Sequence, residues 1–176
     1  MSIVPDVKDW TWVLERACPE CGFDAAHVGH EALPELLRES AARFAQVLQR
    51  PDCRIRPNAS TWSVLEYGAH MRDICRLYHT RSAVMLAGDP DGGIPRIVNW
   101  DQDAAAIADR YADQDPARVA VELVEAAERA ARSFETVPPA QRGLSGVRTD
   151  GAVFTVESFT RYVVHDLVHH VYDVRG

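Results

Sequence analysis

The chain has 176 residues, 26 acidic against 19 basic for a net charge of −7, and 47% of it is apolar. That is enough for one domain with a real core. The acidic balance argues against a surface that neutralises nucleic-acid phosphates or settles on anionic lipid, and no apolar run approaches the roughly 20 residues that span a bilayer.

The first residues, Met1-Ser2-Ile3-Val4-Pro5-Asp6, have neither the basic nor the apolar region of a signal peptide. The expected location is therefore the cytoplasm, with the four cysteines reduced. Residues 1–30 read as an irregular arm in which Trp10, Trp12, Val13, Leu14 and Phe23 are apolar enough to pack on a core. Cys18-Pro19-Glu20-Cys21 has the C-x-x-C spacing of a zinc knuckle or a redox pair. His27 and His30 follow, but only five residues separate Cys21 from His27, too few to close a finger. No strand–helix context supports a redox pair. The two cysteines are accordingly read as small buried residues, and Cys53 and Cys75 as a loop and a core thiol.

Residues 31–176 read as a single all-α domain. A helix opens near Glu31, with Leu33, Leu36, Leu37, Phe44, Val47 and Leu48 near helical spacing, and ends at Arg50-Pro51. The next is expected from Trp62 to about Leu86, capped by Ser60 or Thr61, with an apolar stripe running from Leu65 to Val84. A third helical region spans Asp101 to Val137 and restarts at Pro116 with Asp115 as its cap. There Val119, Leu123, Ala126, Ala127, Ala130 and Phe134 face inward. Gly143 to Thr155, with its Asp150-Gly151 turn, is the place for a short hairpin. The last helix runs from about Thr155 to Val174. Four long helices joined by loops of unequal length make a four-helix bundle, whose ligand sites are built from core-facing side chains.

His165 and His169, four apart in the last helix, share one face and can grip one metal ion. His70, in the second helix, can supply a third ligand and leave a position open. Glu66 and Asp73 share the face of His70 and could orient a ligand imidazole. Tyr162 could donate a proton, and Arg161 could bind a carboxylate. His170 stands about 100° from His169 and is read as a flank residue; His27, His30 and His79 are read as structural or exposed.

Trp62-Ser63-Val64-Leu65-Glu66-x-x-x-His70-x-x-Asp73, followed far downstream by Tyr162-Val163-Val164-His165-x-x-x-His169-His170, resembles the DinB-like/YfiT-like four-helix-bundle family. The resemblance covers about residues 31–173. It implies a metal at one end of the bundle, zinc, nickel or another divalent ion, held by one ligand from the second helix and two from the fourth. Carried over, these are His70, His165 and His169. Some related members use a low-molecular-weight thiol such as bacillithiol, mycothiol or glutathione for transfer or isomerisation, and many have no known reaction. The expectation is thus a metal-dependent enzyme that activates a small thiol toward an electrophilic substrate. A metal-dependent hydrolase on the same site and a non-catalytic binding bundle are the alternatives. The apolar arm needs a surface to cover it, either its own bundle, on which residues 1–30 would pack, or a second copy in a homodimer.

Overall fold

The computed structural model describes residues 9–176. Its helices are α1 (Leu33–Val47), α2 (Val64–Ala87), the short α3 (Gln102–Ala108), α4 (Pro116–Glu135) and α5 (Val156–Asp173). The bundle is built from α1, α2, α4 and α5. Both α4 and α5 pack against both α1 and α2, whereas α1 scarcely touches α2 and α4 scarcely touches α5. Helices consecutive in sequence, α1 and α2, are therefore diagonal partners across the bundle. Where that diagonal is closest, Gly68 faces Leu48 and Phe44; a Cβ there would lie 3.1 Å from Leu48 and 3.3 Å from Phe44.

Local chemistry fixes the helix starts. Asp115 caps α4 by accepting from the Ala117 amide (3.0 Å), with Pro116 at the first helical position. Thr155 caps α5 by accepting from the Ser158 amide (3.0 Å), and its own amide donates to Ser158 Oγ (2.9 Å). The cap of α2 is Ser63, not Ser60 or Thr61. Only Ser63 has a glutamate three residues on, and the reciprocal pair with Glu66 decides the start. The inward residues expected for α4 are all buried. The expected stripe of α2 fails at Val84, which is exposed; Ser82 and Met85 face the core instead. At the centre Tyr78 packs edge-on to Phe134 (ring centroids 4.2 Å apart) and shares a 2.9 Å hydrogen bond with Thr160.

The hairpin forms as β2 (Ser145–Arg148) and β3 (Val153–Thr155), and a two-residue β1 (Arg96–Ile97) pairs parallel to β2. So short a strand leaves no alternation to read in the sequence. The arm folds back on its own bundle, burying Val13, Cys18, Phe23 and Ala25. The Arg161 guanidinium fastens it, donating to the carbonyls of Ala25 and Val28 while paired with Glu157. Of the aromatic residues of the arm, Phe23 is thus covered within the chain, and Trp10 and Trp12 are half-buried. Among the described residues, no helix is long and apolar enough to cross a membrane.

Candidate metal centre

Helix α5 presents two neighbouring ligand strips, both at i, i+4 spacing. Asp166 and His170 face His70 of α2; His165 and His169 face Cys18 and Cys21 of the arm. Within each group the ligand atoms lie within 4.8 Å of one another. The expected trio of His70, His165 and His169 is not brought together as one such group among the described residues. Adjacent positions on a helix differ by about 100° in direction, so α2 and the arm each meet a different strip.

The first group is held by close contacts. His170 Nε2 lies 3.2 Å from Asp166 Oδ1, its Nδ1 lies 2.9 Å from Asp173 Oδ2, and His70 Nε2 lies 3.9 Å from Asp166 Oδ2. Trp100 stacks on the His70 ring (5.3 Å, 8° between planes) and Trp62 packs on it at 5.0 Å. Burial inside this aromatic enclosure pushes the His70 pKa down to about 3, so the ring is neutral, as a ligand must be. His170 behaves oppositely. Burial disfavours its charge, but Asp166 and then Asp173 outweigh burial and raise it to about 9. Burial would raise Asp166, yet His170 holds it down at about 2. Without metal, the strip is an imidazolium–carboxylate pair beside a neutral imidazole. His70 Nδ1 is buried with no hydrogen-bond partner in the protein. Two imidazoles and a carboxylate converging on one point suit a divalent ion and leave a coordination position open.

The second group places Cys18 Sγ 3.6 Å from His169 Nδ1. His169 Nε2, on the far side of the ring, lies 3.4 Å from Glu20 Oε2 and 3.6 Å from Asp173 Oδ1. His165 is 3% exposed and its Nε2 has no partner. Burial pushes its pKa down to about 4. Trp10 lies over both rings, 6.0 Å from His165 and 5.1 Å from His169.

The remaining candidates divide. Tyr162 lines the same cavity of about 1020 Å³ as His70, Asp166 and His170. Glu66 points elsewhere: its carboxylate accepts from the Ser63 amide (2.9 Å), the Ser63 hydroxyl (2.7 Å) and the Arg56 guanidinium. Asp73 is paired with Arg72 (2.9 Å) and Arg76 (3.0 Å) and accepts from the Tyr111 hydroxyl (2.7 Å). Arg161 is the arm fastener and is not among the residues lining that cavity. Asp166 is the group that counting histidines overlooked, while His170, expected as a flank residue, and Cys18 and Cys21, expected as small buried residues, each stand in a ligand group. Asp166–His170 repeats the i, i+4 spacing in the sequence, and C-x2-C with H-x3-H are the two halves of a four-ligand set.

Fold and site together define a helical bundle with ligands for a divalent ion gathered from two of its helices. Residues 34–174 match the DinB superfamily, and the chain belongs to it. Among solved structures, the chain is similar to YfiT from Bacillus subtilis, described as a probable metal-dependent hydrolase with an unusual four-helix bundle topology. The TM-score is 0.71 at 20% identity, over 81% of this chain and 82% of that one. Among curated proteins no relative matches.

Proposed function

We propose that this protein is a metal-dependent hydrolase whose open site is formed by His70, Asp166 and His170. The observation that carries the reading is the donor set itself. Two imidazoles and one carboxylate, with a free fourth position, are the ligand composition of hydrolytic zinc sites. A divalent ion there supplies a Lewis acid that lowers the pKa of whatever occupies the open position and polarises a carbonyl. The protein contributes the rest. Trp62 and Trp100 shield His70 from water and keep it neutral. Asp173 holds the outer nitrogen of His170, fixing its tautomer. Tyr162, whose hydroxyl pKa is raised by burial and by Asp166, stays protonated at neutral pH and can donate to a leaving group. The description of YfiT points the same way.

Thiol transfer is the second reading. It is favoured by the size of the cavity, about 1020 Å³, which suits a low-molecular-weight thiol with its acceptor better than a small ester. Zinc and nickel are the ions proposed in either case, since imidazole and carboxylate accept both.

The test is hydrolysis of an activated ester by zinc- and nickel-loaded protein, with glutathione and an electrophile assayed in parallel. Ester turnover lost in His70→Ala and in His170→Ala, and reduced about 10²–10⁴-fold in Tyr162→Phe, is the expected result. Turnover that persists in His170→Ala sinks the site, and turnover only with the thiol replaces the reaction.

A further inference from the structure

We infer that Cys18, Cys21, His165 and His169 form a second, closed zinc site that staples the N-terminal arm to α5. This site is separate from the open site, and the inference does not rest on the function proposed for that site.

Four observations carry it. First, the donors are two thiols and two imidazoles, a set that selects zinc and fills a tetrahedron without help from water. Second, the distances fit. With Zn–S of about 2.3 Å and Zn–N of about 2.05 Å, a tetrahedral S–Zn–N arrangement requires S and N to be about 3.6 Å apart. Cys18 Sγ and His169 Nδ1 are 3.6 Å apart. The other edges of such a tetrahedron are about 3.4–3.8 Å, and all four ligand atoms already lie within 4.8 Å of one another. Third, His165 Nε2 is buried with no partner, a costly state for a polar atom unless an ion takes its lone pair. Fourth, His169 carries the outer support expected of a zinc ligand. Its Nδ1 faces the thiol, while its Nε2 faces the carboxylates of Glu20 and Asp173 at 3.4 Å and 3.6 Å.

The arm is shaped to deliver the two thiols together. The Gly22 amide donates to the Cys18 carbonyl (2.9 Å) and the Cys18 amide to the Phe23 carbonyl (2.9 Å), which curls Cys18–Cys21 into a tight turn. Gly22 sits at φ +75°, a left-handed conformation that a side chain would disfavour. His27 and His30 take no part: His27 pairs with Asp24 and His30 with Glu157. The pairing partner of the cysteines lies almost the whole chain away, in α5.

A closed four-ligand site has no position for substrate, so its role is structural. It fixes the wall to which Trp10 and Glu20 belong, and both residues line the cavity of the open site.

The test uses the full chain carrying His70→Ala, which removes a ligand of the open site and leaves the second site intact. Zinc K-edge absorption on this protein is expected to show two sulfur and two nitrogen neighbours, and cobalt substitution a sulfur-to-metal charge-transfer band. Relative to the wild type, metal content is expected to fall by one equivalent in Cys18→Ser/Cys21→Ser. A zinc shell of nitrogen and oxygen only in His70→Ala overturns the inference. So does metal content unchanged by the double cysteine substitution, or a Cys18–Cys21 disulfide in the freshly purified protein with metal content undiminished.

Discussion

Replacing Glu66 with alanine separates two roles that its position, four residues before His70, makes equally natural. In the structure the carboxylate is buried and serves the start of α2. Losing half of the capping box costs about 1 kcal/mol. That lost half is the bond to the Ser63 amide, which is left buried without its 2.9 Å acceptor, so the cost lies toward the upper end, about 1–2 kcal/mol in all. Arg56 is 29% exposed and can turn to water, so the lost ion pair adds only about 0.5 kcal/mol after screening. The expected cost is about 2 kcal/mol, a fall in Tm of about 4–8 °C for a chain of this length, read by urea and thermal unfolding of chelator-treated protein. Glu66→Gln keeps an acceptor for Ser63 and should cost less than half as much. Burial raises the Glu66 carboxyl, but its bonds to Arg56 and Ser63 prevail and hold it below its ordinary value of 4.5. Its contribution is therefore complete above that pH and fades as pH falls through the lower folded value, so the gap between wild type and Glu66→Ala must close in acid. Metal affinity at the open site should stay within about twofold, whereas a residue orienting a ligand histidine costs about 10–100-fold when removed. Unchanged stability with a tenfold loss of metal affinity would refute the assignment to the cap and return Glu66 to His70.

Two further outcomes follow from the same geometry. His170 is held at about 9 without metal, so metal entering the open site at pH 7 must displace its proton. Calorimetry of Cys18→Ser/Cys21→Ser in buffers of different ionisation enthalpy should find about one proton released, with apparent affinity rising about tenfold per pH unit until about pH 9; no proton release would contradict the Asp166–His170 pair. Arg161→Ala leaves the Ala25 and Val28 carbonyls without their charged donor and should destabilise by about 1–3 kcal/mol and speed proteolysis within residues 9–32, with KM for the ester unchanged. A raised KM over an intact arm would make Arg161 a substrate-binding residue.

The bundle was legible because each long helix carries its own punctuation. Asp115-Pro116 and Thr155 announce α4 and α5, and the inward residues of α4 repeat at a period that only one packing direction satisfies. The start of α2 was misplaced by its tempting run of hydroxyls, Ser60-Thr61, because the deciding feature is a reciprocal bond three residues ahead. The ligand set was harder for a different reason. The α5 sequence carries two i, i+4 pairs one residue out of step, Asp166–His170 and His165–His169. Which pair meets α2 depends on the rotation of α5 in the bundle, a property of the packing of all four helices rather than of α5. The Cys18–His169 approach spans 151 positions, so the histidines that the fold brings to C-x-x-C are not the nearest ones downstream. Spacing within each half, C-x2-C and H-x3-H, was the signal that could have joined them.

One helix carrying two adjacent ligand strips also explains why this bundle needs its arm. On the strip facing α2, three side chains converge and the cavity supplies an open position. On the strip facing outward, His165 and His169 would stand at the cavity rim with polar nitrogens unmet, and could compete with Asp166 and His170 for the same ion. The arm brings Cys18 and Cys21 to within 4.8 Å of their ligand atoms, with Trp10 beside both rings and Glu20 against the far nitrogen of His169. What distinguishes the two strips chemically is then the number of protein ligands each gathers: four close a site, and three leave one open for chemistry.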